Sequence, residues 1–254
     1  MKILITNDDG CQSTFIIPLI EELGHEHELF LVVPDSEQSA ISQAITINSS
    51  LRYEPLTGKP FPAFQVAGSP SDCVKLAVCH LFKDVSFDLV VSGINPGENA
   101  GLSSLYSGTV AGAREGATWG IPSVSLSIWD KSLVHTKNAA KWFSQILDIP
   151  GLFNFAPGTF WNVNFPDCEP SAICGTRVCN MSTAIFDDEY IEHKTVRGHS
   201  EYWLYGFKDK SQFLPEADDL GLDQHYITIT PLQVDQTCQS ETTRLQQYTQ
   251  QLTR

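Results

Sequence analysis

The chain opens with a short apolar run, Lys2-Ile3-Leu4-Ile5-Thr6, that passes at once into two adjacent acids, Asn7-Asp8-Asp9-Gly10. Such a run reads as a buried parallel strand, and the glycine after it permits a sharp turn into the next element. The carboxylates therefore fall at a strand's carboxyl end. In open α/β sheets that rim is where ligands bind, and two hard oxygen donors side by side there suit Mg²⁺ or Mn²⁺. An Asx-turn with a helix cap accounts for the same residues without any ligand, so the rest of the chain has to separate the two.

Through about residue 130 strand-like and helix-like segments alternate, the signature of a doubly wound sheet. Phe15, Ile16, Leu19, Ile20 and Leu23 fall at helical spacing and Gly24 offers a C-terminal stop. Leu29 to Val33 is a continuous buried strand closed by Pro34-Asp35, and the polar stretch 36–44 is a loop longer than a minimal connection. Ser69, Pro70 and Asp72 make a complete helix start, with Cys73, Val74, Leu76, Ala77 and Leu81 as its apolar face. Asp88 to Gly93 reads as a further buried strand leading into a Gly/Asn/Pro-rich loop, Ile94 to Gly101.

Tyr106-Ser107-Gly108-Thr109-Val110 opens an Ala-rich helix with small hydroxyl residues and glycine. Free N–H groups and the positive end of the helix dipole then face the preceding loop, a phosphate cradle in outline that plain helix capping also explains. No Gly-Lys-Ser/Thr is present and no Gly-x-Gly-x-x-Gly follows the first strand, which argues against a nucleotide P-loop and a dinucleotide fold. Beyond residue 130, 139–147 reads as helix and 161–165 as strand. Residues 172–207 form strands with an Arg197-Gly198 hairpin turn, 226–231 a last strand and 240–252 a polar terminal helix.

The formal charge of −14 and the absence of a Lys/Arg stripe argue against a nucleic-acid polymer as partner. The seven cysteines include no Cys-x-x-Cys pair and read as reduced thiols, and the seven histidines show no metal-binding spacing. No window approaches a transmembrane span and Met1 leads into a strand rather than a secretory signal, so the expected location is the cytoplasm, with no membrane partner.

Taken together, these blocks resemble the survival protein E (SurE) family of metal-dependent phosphatases acting on nucleoside monophosphates. The likeness rests on Thr6 to Gly10, Val33-Pro34-Asp35 with Gln38-Ser39, Gly68 to Val74, Ser92 to Asn99, Tyr106 to Val110 and Ile229 to Leu232, in that order. It implies a Rossmann-like core over 1–130 and, over 131–254, further core elements, a β-rich hairpin extension used in oligomerisation and a terminal helix, with a homodimer or homotetramer as the assembly. It also implies one divalent ion per subunit, Mg²⁺ or Mn²⁺, on Asp8, Asp9, Ser39 and Asn95. Asn99, Ser107, Gly108 and Thr109 would contact phosphate, and one carboxylate of the Asp8-Asp9 pair would orient or deprotonate a water. The reaction expected is hydrolysis of nucleoside 5′- and 3′-monophosphates.

The chain departs from the family pattern at Phe15, Ser36 and Gln43, which lie in loops around the substrate and leave the ligand positions intact. These substitutions motivate the competing class, a homologue that holds metal and nucleotide in a regulatory role with weakened turnover.

Overall fold

The computed structural model describes residues 1–252; the last two residues of the 131–254 part lie outside the described residues. The first half runs β1 (Lys2–Thr6), α1 (Ile17–Leu23), β2 (Glu28–Pro34), β3 (Tyr53–Pro55), β4 (Ala63–Val66), α2 (Pro70–Leu76), β5 (Leu89–Pro96), α3 (Ser103–Tyr106), α4 (Gly108–Thr118) and β6 (Ser123–Ile128). The second half continues with α5 (Leu133–Leu147), β7 (Thr159–Phe165), β8 (Thr176–Val178), β9 (Phe186–Lys194), β10 (Ser200–Lys208), α6 (Asp218–Asp223), β11 (Ile227–Gln233), α7 (Gln239–Gln246) and α8 (Thr249–Leu252). Among the described residues nine strands form one sheet in the order β3-β4-β2-β1-β5-β6-β7-β11-β8, parallel from β4 to β7, while β9 and β10 pair with each other outside it. This is the doubly wound α/β architecture expected from the alternation of segments.

Alternation along β1 explains why the sheet is covered on both faces. Ile3 and Ile5 point into a core with Leu19 and Leu23 of α1 and Phe143 of α5, whereas Leu4 points the other way, toward Phe30, Val66 and Val74. Successive strands leave β1 in opposite directions, β2 on one side and β5 on the other. The sheet therefore reverses its winding between β1 and β5, and a crevice opens at their carboxyl ends.

Two elements differ from their sequence signal. The stretch expected as a loop from Ile94 continues as strand to Pro96, with a bulge between Ser92 and Asn95 relative to β6. Gly93 makes the bulge possible: its φ is +135°, and a Cβ there would lie 2.3 Å from the Leu126 carbonyl oxygen. β6 alternates serine with valine, leucine and isoleucine, the pattern of a half-exposed strand, yet all its residues are buried. Its serines face protein: Ser125 donates to Asn162 at 2.9 Å and Ser127 accepts from Asn99 at 2.8 Å.

Candidate active site

Asp8 and Asp9 leave the end of β1 on a turn closed by the Asn7 side-chain amide, which donates to the Gly10 carbonyl at 3.1 Å. Gly10 is required twice over, because its φ is +89° and a Cβ would meet the Ser36 backbone at 2.9 Å. That close approach lays the loop after β2 along the acid turn, and Gln38 N–H donates to the Asp8 carbonyl at 2.7 Å. Ser39 thereby reaches the same rim. Asn95 arrives from the bulged end of β5, its amide nitrogen donating to the Gly97 carbonyl at 2.6 Å and its carbonyl oxygen left as the free end.

The fourth side of the site is the start of α4. Ser107 caps the helix by accepting from Val110 N–H at 3.2 Å. A Cβ on Gly108 would lie 2.9 Å from the Asp8 Cβ, so only glycine lets the helix approach this close. Thr109, fully buried, donates its hydroxyl to Asp8 Oδ1 at 2.5 Å, and its backbone N–H also favours the ionised carboxylate. The structure therefore places Thr109 on Asp8 and not on the cavity wall where a phosphate contact was expected. Asn99 is held by two buried asparagines of β7: its N–H donates to Asn164 at 2.8 Å and its carbonyl accepts from Asn162 at 2.8 Å.

These residues converge on one cavity of about 380 Å³ lined by Asp8, Asp9, Ser39, Asn95, Asn99 and Ser107. Glu37, Lys131 and Phe186 line the same wall with no motif to announce them, and Tyr106 joins them from the head of the Ser107 block. Other hollows, of about 340 and 470 Å³, lie elsewhere, but this one sits at the winding reversal and gathers the acids.

Electrostatics in the cavity run against two free carboxylates. Burial raises the Asp9 pKa from the ordinary 3.8 to about 7, with the Asp8 and Glu37 charges adding to the rise. Burial also raises Asp8, opposed by the Thr109 hydrogen bond. Paired acids held this way favour a bound cation. Among the described residues no group of three or more His, Cys, Asp or Glu is arranged to hold a metal, so a cation at this rim would take two carboxylates and complete its shell with neutral oxygens. The donors fit that role: Ser39 gives its proton to Glu37 at 2.6 Å and keeps its oxygen lone pairs, and Asn95 presents its carbonyl oxygen.

More distant side chains fasten the loops. Asp218, buried beneath the site, accepts from Gly101 N–H at 3.0 Å and Ser182 N–H at 2.9 Å. Lys208, at the base of the β9–β10 hairpin, reaches Glu98 at 3.1 Å, the Ala100 carbonyl at 2.8 Å and Asp219 at 2.8 Å.

Comparison with known proteins shows the family of the chain. The family model described as Survival protein SurE matches residues 3–188. The chain is 37% identical over 238 residues to 5′-nucleotidase SurE of Desulfatibacillum aliphaticivorans, covering 93% of this chain and 94% of the relative. It is 39% identical to 5′-nucleotidase SurE 1 of Thermus thermophilus over 243 residues, with 93% of each covered. The crystal structure of the SurE protein from Aquifex aeolicus superposes with a TM-score of 0.82 at 28% identity, covering 97% of this chain and all of that one.

Proposed function

The chain belongs to the SurE family, and we propose that it is a metal-dependent phosphomonoesterase releasing phosphate from nucleoside 5′-monophosphates, and from 3′-monophosphates as a second substrate class. The observation that carries this reading is the meeting of the Asp8-Asp9 pair with Ser39, Asn95, Asn99 and the Ser107 cap of α4 in one cavity at the winding reversal. The relatives' names as 5′-nucleotidases support the substrate class.

Asp8, Asp9, Ser39 and Asn95 would hold the divalent ion, Mg²⁺ or Mn²⁺. When bound it supplies charge neutralisation at the phosphoryl group and acidity to a water. The chain's own residues do the rest. Asp8 is locked by Thr109 and Gly108 and acts as a fixed ligand. Asp9 is only half-buried and, among the described residues, its one side-chain hydrogen bond, from Ser13, is at 3.5 Å, so it is the carboxylate free to orient the attacking water and take its proton. Ser107 accepts its capping bond through the hydroxyl oxygen and keeps its proton for a phosphoryl oxygen. Asn99, on the cavity wall, spends one amide N–H on Ser127 and would offer the other to a phosphoryl oxygen. The water oxygen bonds to phosphorus, the bond to the nucleoside oxygen breaks, and that oxygen takes up a proton.

The same reading makes the protein a cytoplasmic homodimer or homotetramer joined through the β9–β10 hairpin; no described helix is long and apolar enough to cross a membrane. A panel of 5′- and 3′-nucleotides assayed for phosphate release with Mn²⁺, with Mg²⁺ and with chelator tests the function. Turnover of 5′-monophosphates only with metal is expected. Metal and nucleotide binding without turnover would favour the regulatory homologue instead.

A further inference from the structure

The N-terminus of α4 has less to offer an anion than its sequence promised. Thr109 commits its hydroxyl to Asp8, and the Val110 N–H goes to the Ser107 cap. A phosphate dianion entering the cavity also meets three acids, Asp8, Asp9 and Glu37, in a chain of net charge −14. A divalent ion offsets two of those charges, which leaves a third acid facing the dianion.

Among the described residues, Lys131 is the one cationic side chain on the cavity wall. Its side chain has no hydrogen-bond or ion-pair partner among the described residues, whereas the residues on either side of it are anchored. Asp130 accepts from Ser132 N–H at 3.1 Å and pairs with His135 Nδ1 at 2.7 Å, Ser132 caps α5 through His135 N–H at 3.3 Å, and Trp129 N–H donates to the Phe165 carbonyl at 3.0 Å. Its field reaches across the cavity to Asp9, where it opposes the upward pull of burial. A lysine on the wall of an acid-lined cavity, unpaired at its tip and flanked by anchored residues, is poised for a mobile anion.

We infer that Lys131 binds the substrate's phosphoryl group, its ammonium donating to a non-bridging oxygen, and so supplies the anion recognition that the start of α4 has given to Asp8. This rests on the phosphatase reading of the cavity.

The test separates the cation from the anion. Calorimetry on the full chain measures Mn²⁺ affinity, then inorganic phosphate affinity in the presence of Mn²⁺, for the wild type, Lys131→Gln and Lys131→Arg. Kinetics with a nucleoside 5′-monophosphate run alongside. Lys131→Gln is expected to weaken phosphate about tenfold or more and lower kcat/KM to match. It should leave Mn²⁺ affinity equal or tighter, since a positive charge beside the acids is gone, and Lys131→Arg should recover part of the loss. Equal weakening of metal and phosphate would make Lys131 structural and overturn the inference, as would unchanged phosphate affinity. Phosphate binding is read without turnover, so a wild type inactive on nucleotides would sink the proposed function while leaving this comparison decisive.

Discussion

Asp9 carries a cost that the metal-free protein cannot escape. With its pKa raised from 3.8 to about 7, the folded chain holds a proton that the unfolded chain has released, so between those pH values folding stability falls as pH rises. Asp9→Asn should therefore abolish turnover yet stabilise the chelator-treated protein at pH 8 by about 1–2 kcal/mol, the shift being discounted for the solvent that reaches a half-buried carboxylate. Thermal melts at pH 8 and near pH 4 check this, because the advantage should vanish at the acid end. Thr109→Ala should lower Mn²⁺ affinity or kcat about 10- to 100-fold by releasing Asp8, and Thr109→Ser should restore most of it. Metal affinity unchanged in Thr109→Ala, with KM alone raised, would return the hydroxyl to phosphate. Asp8 and Asp9 could be read from the residues as candidate ligands because they follow directly on β1, whereas Ser39, in the loop after β2, and Asn95, near the end of β5, were named only through the family resemblance. Glu37 and Lys131 were not legible: they sit in loops, where no periodicity says which side chains meet.

At the scale of elements, α4 decides whether those residues assemble at all. Gly108, Gly112 and Gly116 form a stripe one turn apart, and a Cβ on them would lie 2.9 Å from the Asp8 Cβ, 2.6 Å from the Ser92 hydroxyl and 2.8 Å from Val90 Cγ2 respectively. The floor beneath is small in turn, with Thr6, Ser92 and Ser123 buried there. Helix propensity alone favours alanine at position 116 by about 1 kcal/mol, whereas lifting the helix off a β-branched neighbour costs about 1–3 kcal/mol. Gly116→Ala should thus be destabilising in denaturant unfolding, against the propensity scale, and should lower activity by drawing Thr109 away from Asp8. A stabilised, fully active variant would show that the helix is not seated by its glycines. The helix itself was legible from its alanines and its Ser107 cap. Its depth was not, because close packing depends on which small residues face it from three other strands.

Across the whole molecule the hairpin stands apart from the sheet, with Tyr190 67% and Trp203 69% exposed and Tyr202, Tyr205 and Phe207 beside them. A two-stranded ribbon is marginal in water by itself, which is the ground for the proposed second subunit. Light scattering of the intact chain should give at least a dimer. Deleting Glu192 to Tyr202, which spares Phe186 and the Lys208 anchor, should shift it toward monomer while Mn²⁺ still binds; a full-length monomer at micromolar concentration would contradict the assembly. The doubly wound core was legible from alternating segments, but the nearness of the β1 and β5 ends follows only from strand order, which local patterns do not encode. That junction is where the central claim is most directly tested: phosphate release from adenosine 5′-monophosphate is followed as Mn²⁺ is titrated into chelator-stripped wild type and Asp8→Asn. Saturable activation of the wild type and none of the variant, both folded by circular dichroism, is the predicted result, and turnover in Asp8→Asn near the wild-type rate, or activity in the wild type indifferent to metal, would contradict it.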